Sequence, residues 1–155
     1  MFDQLDELLR SGGARYRILE HPAEGKSEEV ARIRGTSPGQ GAKAMLCRSK
    51  DDPDRFILAI LPGDRKLDFR KLAEATGLKK VTLATADEAT RETGCVIGAI
   101  PPFTFSPRIE LVVDPSLVEN HDEIAFNAGR LDRSMVLNSQ DYVRIAQPRL
   151  HPVCS

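Results

Sequence analysis

A chain of 155 residues, 41% hydrophobic and 29% charged, has the make-up of one ordinary globular domain spanning residues 1–155. A core of that size buries about two-thirds of the unfolded chain's surface, so no metal or disulfide staple is required. No run of about 18 apolar residues exists, which excludes a transmembrane helix, and Met1-Phe2-Asp3-Gln4 follows the pattern of neither a signal nor a transit peptide. The formal net charge of −1 excludes a strongly basic nucleic-acid binder by bulk charge. The charge is unevenly placed: residues 1–80 hold 16 Lys/Arg against 13 Asp/Glu, whereas residues 81–155 hold 6 against 10. The excess in the first part reads either as solvated helix faces or as a modest basic surface for a phosphate backbone. Cys47, Cys95 and Cys154 are odd in number, far apart and without a C-x-x-C, which fits a reducing cytoplasm and neither a disulfide framework nor a zinc ribbon.

In chain order, Phe2, Leu5, Leu8 and Leu9 recur at helical spacing up to Gly12-Gly13. Residues 15–20 alternate as a half-buried strand with Tyr16 and Ile18 inward, stopped by His21-Pro22. Ser27 is placed to cap a helix through Val30 and Ile33 that closes at Gly35. Residues 36–41 form a turn-rich loop, and the apolar runs 42–47 and 56–61 then read as paired antiparallel strands. Asp68 caps a helix with Phe69, Leu72 and Ala73 inward, ended by Gly77. A short strand over 79–83, a helix over 87–93, a rigid loop over 98–103 and strands over 109–113, 124–126 and 135–137 follow. Ser139 opens a last helix carrying Tyr142, Val143 and Ile145. This order is mixed α/β in one domain, not a regular βαβ alternation.

Familiar catalytic signatures are missing. There is no G-x-S-x-G, no H-E-x-x-H among the scattered His21, His121 and His151, and no G-x-G-x-x-G. The glycine-rich loop before Ala42-Lys43 lacks the Lys-Ser/Thr pair that a phosphate loop needs directly after its last glycine. Three features remain. In a strand, Lys43 shares a face with Met45 and Cys47 while Ala44 and Leu46 share the other. Lys43 is then either an edge-strand guard against aggregation or a cation placed to hold a carbonyl or phosphate oxygen. Residues 94–103 join Gly98 and Ala99 to Pro101 and Pro102, so the stretch is either a plain turn or a stiff loop whose amides approach a ligand. Asn127 before Gly129 is either a left-handed strand-terminating turn or a polar site residue.

Together these features resemble the YbaK family of aminoacyl-tRNA deacylases, whose domain recurs as the editing insertion of bacterial prolyl-tRNA synthetases. The resemblance runs over roughly residues 2–147. It is carried by Gly41-Ala42-Lys43-Ala44-Met45-Leu46, by Leu67-Asp68-Phe69-Arg70-Lys71-Leu72 with Gly77-Leu78-Lys79-Lys80-Val81, by residues 93–98 through Pro102-Phe103, and by Asn127-Ala128-Gly129. It implies a curved, mixed, mostly antiparallel sheet surrounded by helices, and a free-standing enzyme that hydrolyses the ester of mischarged tRNA, with a synthetase as a possible companion. The family's lysine falls on Lys43, its G-x-x-x-P loop on Gly98 to Pro102, and a position that is His in the alanine-editing branch on Asn127. Substrate contacts are therefore expected from Gly98, Ala99, Pro102, Asn127 and Gly129, with Lys43 catalytic and Asn127 hydrogen-bonding a Ser or Thr hydroxyl. The loop departs from the family at Ala99 and Pro101. Residues 27–36 with Gly41-Ala42-Lys43-Ala44 look most like the branch that clears Ser- or Thr-charged tRNA. The alternatives are an Ala- or Cys-specific editor, another small hydrolase on the same scaffold, and a binding module that holds a tRNA end or a synthetase without hydrolysis. No metal or organic cofactor is indicated, and nothing points to a membrane.

Overall fold

The computed structural model describes residues 1–155. Its elements are α1 (Phe2–Ser11), β1 (Tyr16–Glu20), α2 (Ser27–Arg34), β2 (Ala42–Ser49), β3 (Phe56–Pro62), α3 (Phe69–Thr76), β4 (Val81–Leu83), α4 (Ala86–Thr93), β5 (Ile109–Val113), α5 (Pro115–Glu119), β6 (Glu123–Arg130), β7 (Arg133–Asn138), α6 (Ser139–Ala146) and β8 (Arg149–Leu150), with one 3-10 turn at Pro38–Gln40. Helix boundaries follow local chemistry. Asp68 accepts from the Arg70 and Lys71 amides to start α3, Thr85 and Glu88 form a capping box on α4, and α2, α3 and α4 each end on a left-handed glycine.

The strands form two hydrogen-bonded sheets, β1-β7-β6 and β4-β2-β3-β5-β8. Pairing is antiparallel except for β3 with β5 and β5 with β8. A lone parallel bridge between Gly41 and Ala125 joins the two sheets. The mixed, mostly antiparallel α/β architecture expected from the sequence is the one observed, divided into two sheets at that seam.

Strand β3 is buried along its whole length because both its faces are covered. Phe56, Leu58 and Ile60 point between the sheets, into a core shared with Leu5, Leu9, Phe126 and Tyr142. Ile57, Ala59 and Leu61 point the other way, against Leu72, Ala73 and Ala75 of α3. Strand β2 divides as its alternation requires: Ala42 and Leu46 join the inter-sheet core, while Met45 and Cys47 lie on the α3 side.

Several expectations shift. Lys26, not Ser27, caps α2, which makes Ser27 its first residue. Phe69 is 38% exposed, since the first turn of α3 projects past the packed part of the sheet, whereas Leu72 and Ala73 are buried. Ile18 is also exposed, because β1 is an edge strand and α1 reaches only its Tyr16 end, where the Tyr16 hydroxyl bonds Asp6. Asn127 lies inside β6 and not at a turn; the left-handed residue is Gly129, in a bulge where pairing slips between Asn127 and Arg130. Helix α5 and strand β8 were not anticipated.

The C-terminal segment is held by one buried carboxylate. Asp114 caps α5 through the Ser116 amide and hydroxyl, and its other oxygen accepts from the Val153 and Cys154 amides at 2.9 and 3.1 Å. Burial alone would raise its pKa, but these hydrogen bonds outweigh it and hold the group at about 2. A pKa depressed from the ordinary Asp value of about 3.9 contributes stability that is fully present above about pH 4 and is lost as the pH falls towards 2. Asp114→Asn turns an amide donor towards backbone donors and should destabilise the protein by about 2–3 kcal/mol at pH 7. Urea unfolding from pH 7 down to pH 2 should show the two proteins converging at the acid end, and parallel curves would remove Asp114 as the cause.

Candidate active site

A cavity of about 450 Å3, counted with its open mouth, lies at the seam between the sheets. Strand β2 enters it at Gly41 to Ala44, where β3 pairs on one side and β4, which reaches only Cys47 to Ser49, leaves the other side free. Strand β6 contributes Asn127, the loop after α4 contributes Gly98 and Ile100, and α2 lays one face over the opening. That face carries Ser27, Val30 and Arg34, spaced three and four apart, so their side chains project from neighbouring turns of the same side.

At the floor is a buried polar network. Asn127 donates both protons of its amide nitrogen, to the Glu24 and Gly98 carbonyls, each at 2.8 Å. Because both partners are acceptors, the nitrogen end of the amide is fixed in place. Its oxygen accepts from the Ser134 hydroxyl and from Arg34 Nη2, each at 3.0 Å. Ser134, fully buried, also accepts from Arg34 Nε at 2.8 Å and lies 2.7 Å from His21 Nε2. Asn127 therefore has no donor or acceptor left for a ligand. It ties α2, the Glu24 turn and the Gly98 loop to β6.

Arg34 was not singled out by sequence reading as a site residue. Its guanidinium has no carboxylate partner, and burial lowers its pKa to about 10, which leaves it cationic at neutral pH. The recurrence of residues 27, 30 and 34 on one helical face was the available signal. What the recurrence could not show was that this face covers a cavity and not solvent.

Lys43 lines the same cavity, and its ammonium donates to the Arg65 carbonyl on the α3 side of the strand. Burial lowers its pKa from the ordinary value, with Asp64 nearby acting the other way. Two of its three protons have no protein acceptor.

Gly98 has φ of +91°, and a methyl group built on it would sit 3.1 Å from the Gly25 Cα. The two backbones thus pass at a distance that only glycine permits. The Gly98 and Ile100 amides have no protein acceptor, whereas the Ala99 amide closes a turn onto the Val96 carbonyl at 3.0 Å. The structure accordingly brings Lys43, Gly98 and Asn127 to one cavity. It keeps Ala99 and Pro102 in the packed interior, with the Pro102 carbonyl accepting from the Tyr142 hydroxyl. Gly129 sits behind the floor, where its amide bonds the Ala99 carbonyl and its Cα packs on Met1. The His, Cys, Asp and Glu side chains form no group of three able to hold a metal ion, and no helix is long and apolar enough to cross a membrane.

Comparison with known proteins agrees with this arrangement. Residues 21–145 match the family model of the aminoacyl-tRNA editing domain. The chain is 50% identical over 148 residues to the multifunctional Ser/Thr-tRNA deacylase ProXp-y of Escherichia coli K12, covering 95% of this chain and 89% of that protein. It is 30% identical over 97 residues to the proline–tRNA ligase of Kosmotoga olearia, covering 63% of this chain but 16% of that enzyme. Among solved structures, the hypothetical protein APE2540 superposes with a TM-score of 0.88 at 24% identity, over 98% of this chain and 99% of the other. A protein described as a candidate trans-editing enzyme for prolyl-tRNA synthetase superposes at 0.83 with 19% identity, over 99% and 96% of the two chains; at these identities the two structures establish the fold. The family match over most of the chain and the half-identical relative leave one assignment: this chain belongs to the aminoacyl-tRNA editing domain family.

Proposed function

We propose that the chain is a free-standing deacylase that hydrolyses the ester joining a misplaced serine or threonine to the terminal adenosine of tRNA. The observation that carries this reading is one cavity, at the sheet seam, that unites the Lys43 strand with the unpartnered amides of Gly98 and Ile100. Its likeness to the Escherichia coli Ser/Thr-tRNA deacylase, over nearly the full length of both chains, supports the substrate class. The likeness to proline–tRNA ligases covers a small part of those enzymes, and the free-standing reading is supported instead by the likeness to the deacylase over 89% of its length.

An aminoacyl ester is already activated, so no protein nucleophile is needed; the site must orient a water and stabilise the oxyanion that develops. Water adds to the ester carbonyl carbon and gives up a proton, the carbonyl oxygen becomes negative, and collapse breaks the bond to the ribose oxygen, which takes up that proton and leaves as the hydroxyl. The Gly98 and Ile100 amides are the donors available to the oxyanion, since the Ala99 amide is engaged in its turn. Lys43 supplies positive charge at the mouth for the terminal phosphate or the carbonyl, and a free ribose hydroxyl positions the water.

The rest of the tRNA needs a basic surface, and one is present. Lys50, Arg70, Lys79 and Lys80 are exposed around Phe69, and none pairs with a carboxylate. They lie at the α3 side of the larger sheet, the side to which Lys43 also points.

Release of free amino acid from Ser-, Thr-, Ala- and Cys-charged tRNA tests the reading directly: Ser and Thr should be released, and a protein that binds these tRNAs without releasing anything is a capture module instead. Lys43→Ala should lower kcat/KM by about 100-fold or more with an unchanged unfolding midpoint, and full activity would sink its assigned role. Gly98→Ala and Gly94→Ala both place a side chain on left-handed backbone, at about 1 kcal/mol of stability, but only the first also adds a methyl against backbone and should cost more; only Gly98→Ala should lose deacylation. Replacing Lys79 and Lys80 with Ala should raise KM and flatten the dependence of log Kd on log salt by about 1 per contacting lysine. An unaltered slope would place the RNA elsewhere.

A further inference from the structure

We propose that Arg34 is the specificity-determining residue of the cleft: its unengaged N–H groups hydrogen-bond the side-chain hydroxyl of a seryl or threonyl ester and so select hydroxylated acyl groups over their hydrocarbon counterparts. The inference rests on the deacylase reading above and assigns the acyl recognition that Asn127, with every hydrogen-bonding position filled, is not free to perform.

The geometry is that of a donor held at a set angle. Nε is bound to Ser134 and one Nη2 proton to Asn127, and both of these residues are buried in the β6–β7 sheet. Three N–H groups of the planar fork remain, two on Nη1 and one on Nη2. Nη1 lies 3.8 Å from where a Cβ on Gly41 would stand, at the start of the strand that lines the cavity. No carboxylate neutralises the guanidinium, so its free donors require an oxygen supplied from outside the protein.

The surroundings decide what kind of oxygen. Val30 and Ile100 are buried beside it on the cavity wall and offer apolar contact to a β-carbon and to the extra methyl of threonine. The cationic α-amino group of the substrate is turned away by like charge. An acyl group without a hydroxyl would press hydrocarbon against unengaged N–H donors and displace their water, a cost that a purely apolar pocket could not impose. Valine is the decisive comparison, because it matches threonine in shape and differs only in exchanging the hydroxyl for a methyl.

The test is kcat/KM for one tRNA charged in turn with Thr, Val, Ser and Ala, using the wild-type protein, Arg34→Met and Arg34→Lys, with thermal unfolding measured alongside. The wild type should favour Thr over Val and Ser over Ala by about 100-fold or more. Arg34→Met, which keeps the buried stem, should lower Thr and Ser hydrolysis at least about tenfold and bring both ratios towards one. Arg34→Lys, which keeps the charge but not the fork, should fall between. Equal loss on all four substrates would make Arg34 part of the oxyanion or scaffold machinery and overturn the proposal, as would unchanged ratios in an active Met variant. If the Met variant does not fold, the wild-type Thr/Val ratio decides, and a value near one overturns the proposal. A wild-type protein that releases none of the four amino acids defeats the deacylase reading itself, a result distinct from the loss of discrimination.

Discussion

One buried carboxamide holds the functional end of this molecule together. Asn127 reaches four groups on four separate segments and leaves none of its own hydrogen-bonding positions open. Displacing either carbonyl acceptor would leave an Asn127 N–H unpaired in the interior, at about 1–3 kcal/mol. That cost keeps the Gly98 loop, the Glu24 turn and the end of α2 in fixed relation to β6. The cleft is consequently preformed, a property that a reaction relying on orientation more than on covalent chemistry requires.

The same network explains why a cation is tolerated in a half-buried place. Arg34 lacks a carboxylate but has Ser134 and Asn127 as neutral acceptors, which orient the guanidinium without cancelling its charge. A paired carboxylate would have held the side chain equally well while removing its attraction for an incoming oxygen. The seam between the sheets supplies the room. Strand β2 runs beyond the short β4, and β6 bulges after Asn127, so neither sheet closes over the gap between them.

Much of the scaffold was legible in the sequence because its signals are local. Asp68, Thr85 and the glycines at 35, 77 and 94 mark helix ends through contacts within a few residues. The alternation through Lys43, Met45 and Cys47 correctly divided the two faces of β2. The errors fall where the environment overrides the pattern. Phe69 and Ile18 have inward spacing but lie at the margins of packed faces and stay exposed. Helix α5 did carry a local signal, the Asp114-Pro115 start, whereas the two-residue β8 exists only because β5 offers it an edge.

The sequence alone determined the order of the elements other than α5 and β8, the Asp68 cap and the glycine stops of α2, α3 and α4, the two-faced character of β2 and, through motifs spread over most of the chain, the editing family. Tertiary structure decided which of those residues are free to act. Arg34 meets Asn127 and Ser134 across 93 and 100 positions of chain, and Ala99 looks equivalent to Gly98 until its amide is found closing a turn. The physical reason is that a polar group's chemistry depends on which of its donors and acceptors are already engaged. That depends on neighbours in space, which spacing along the chain does not specify.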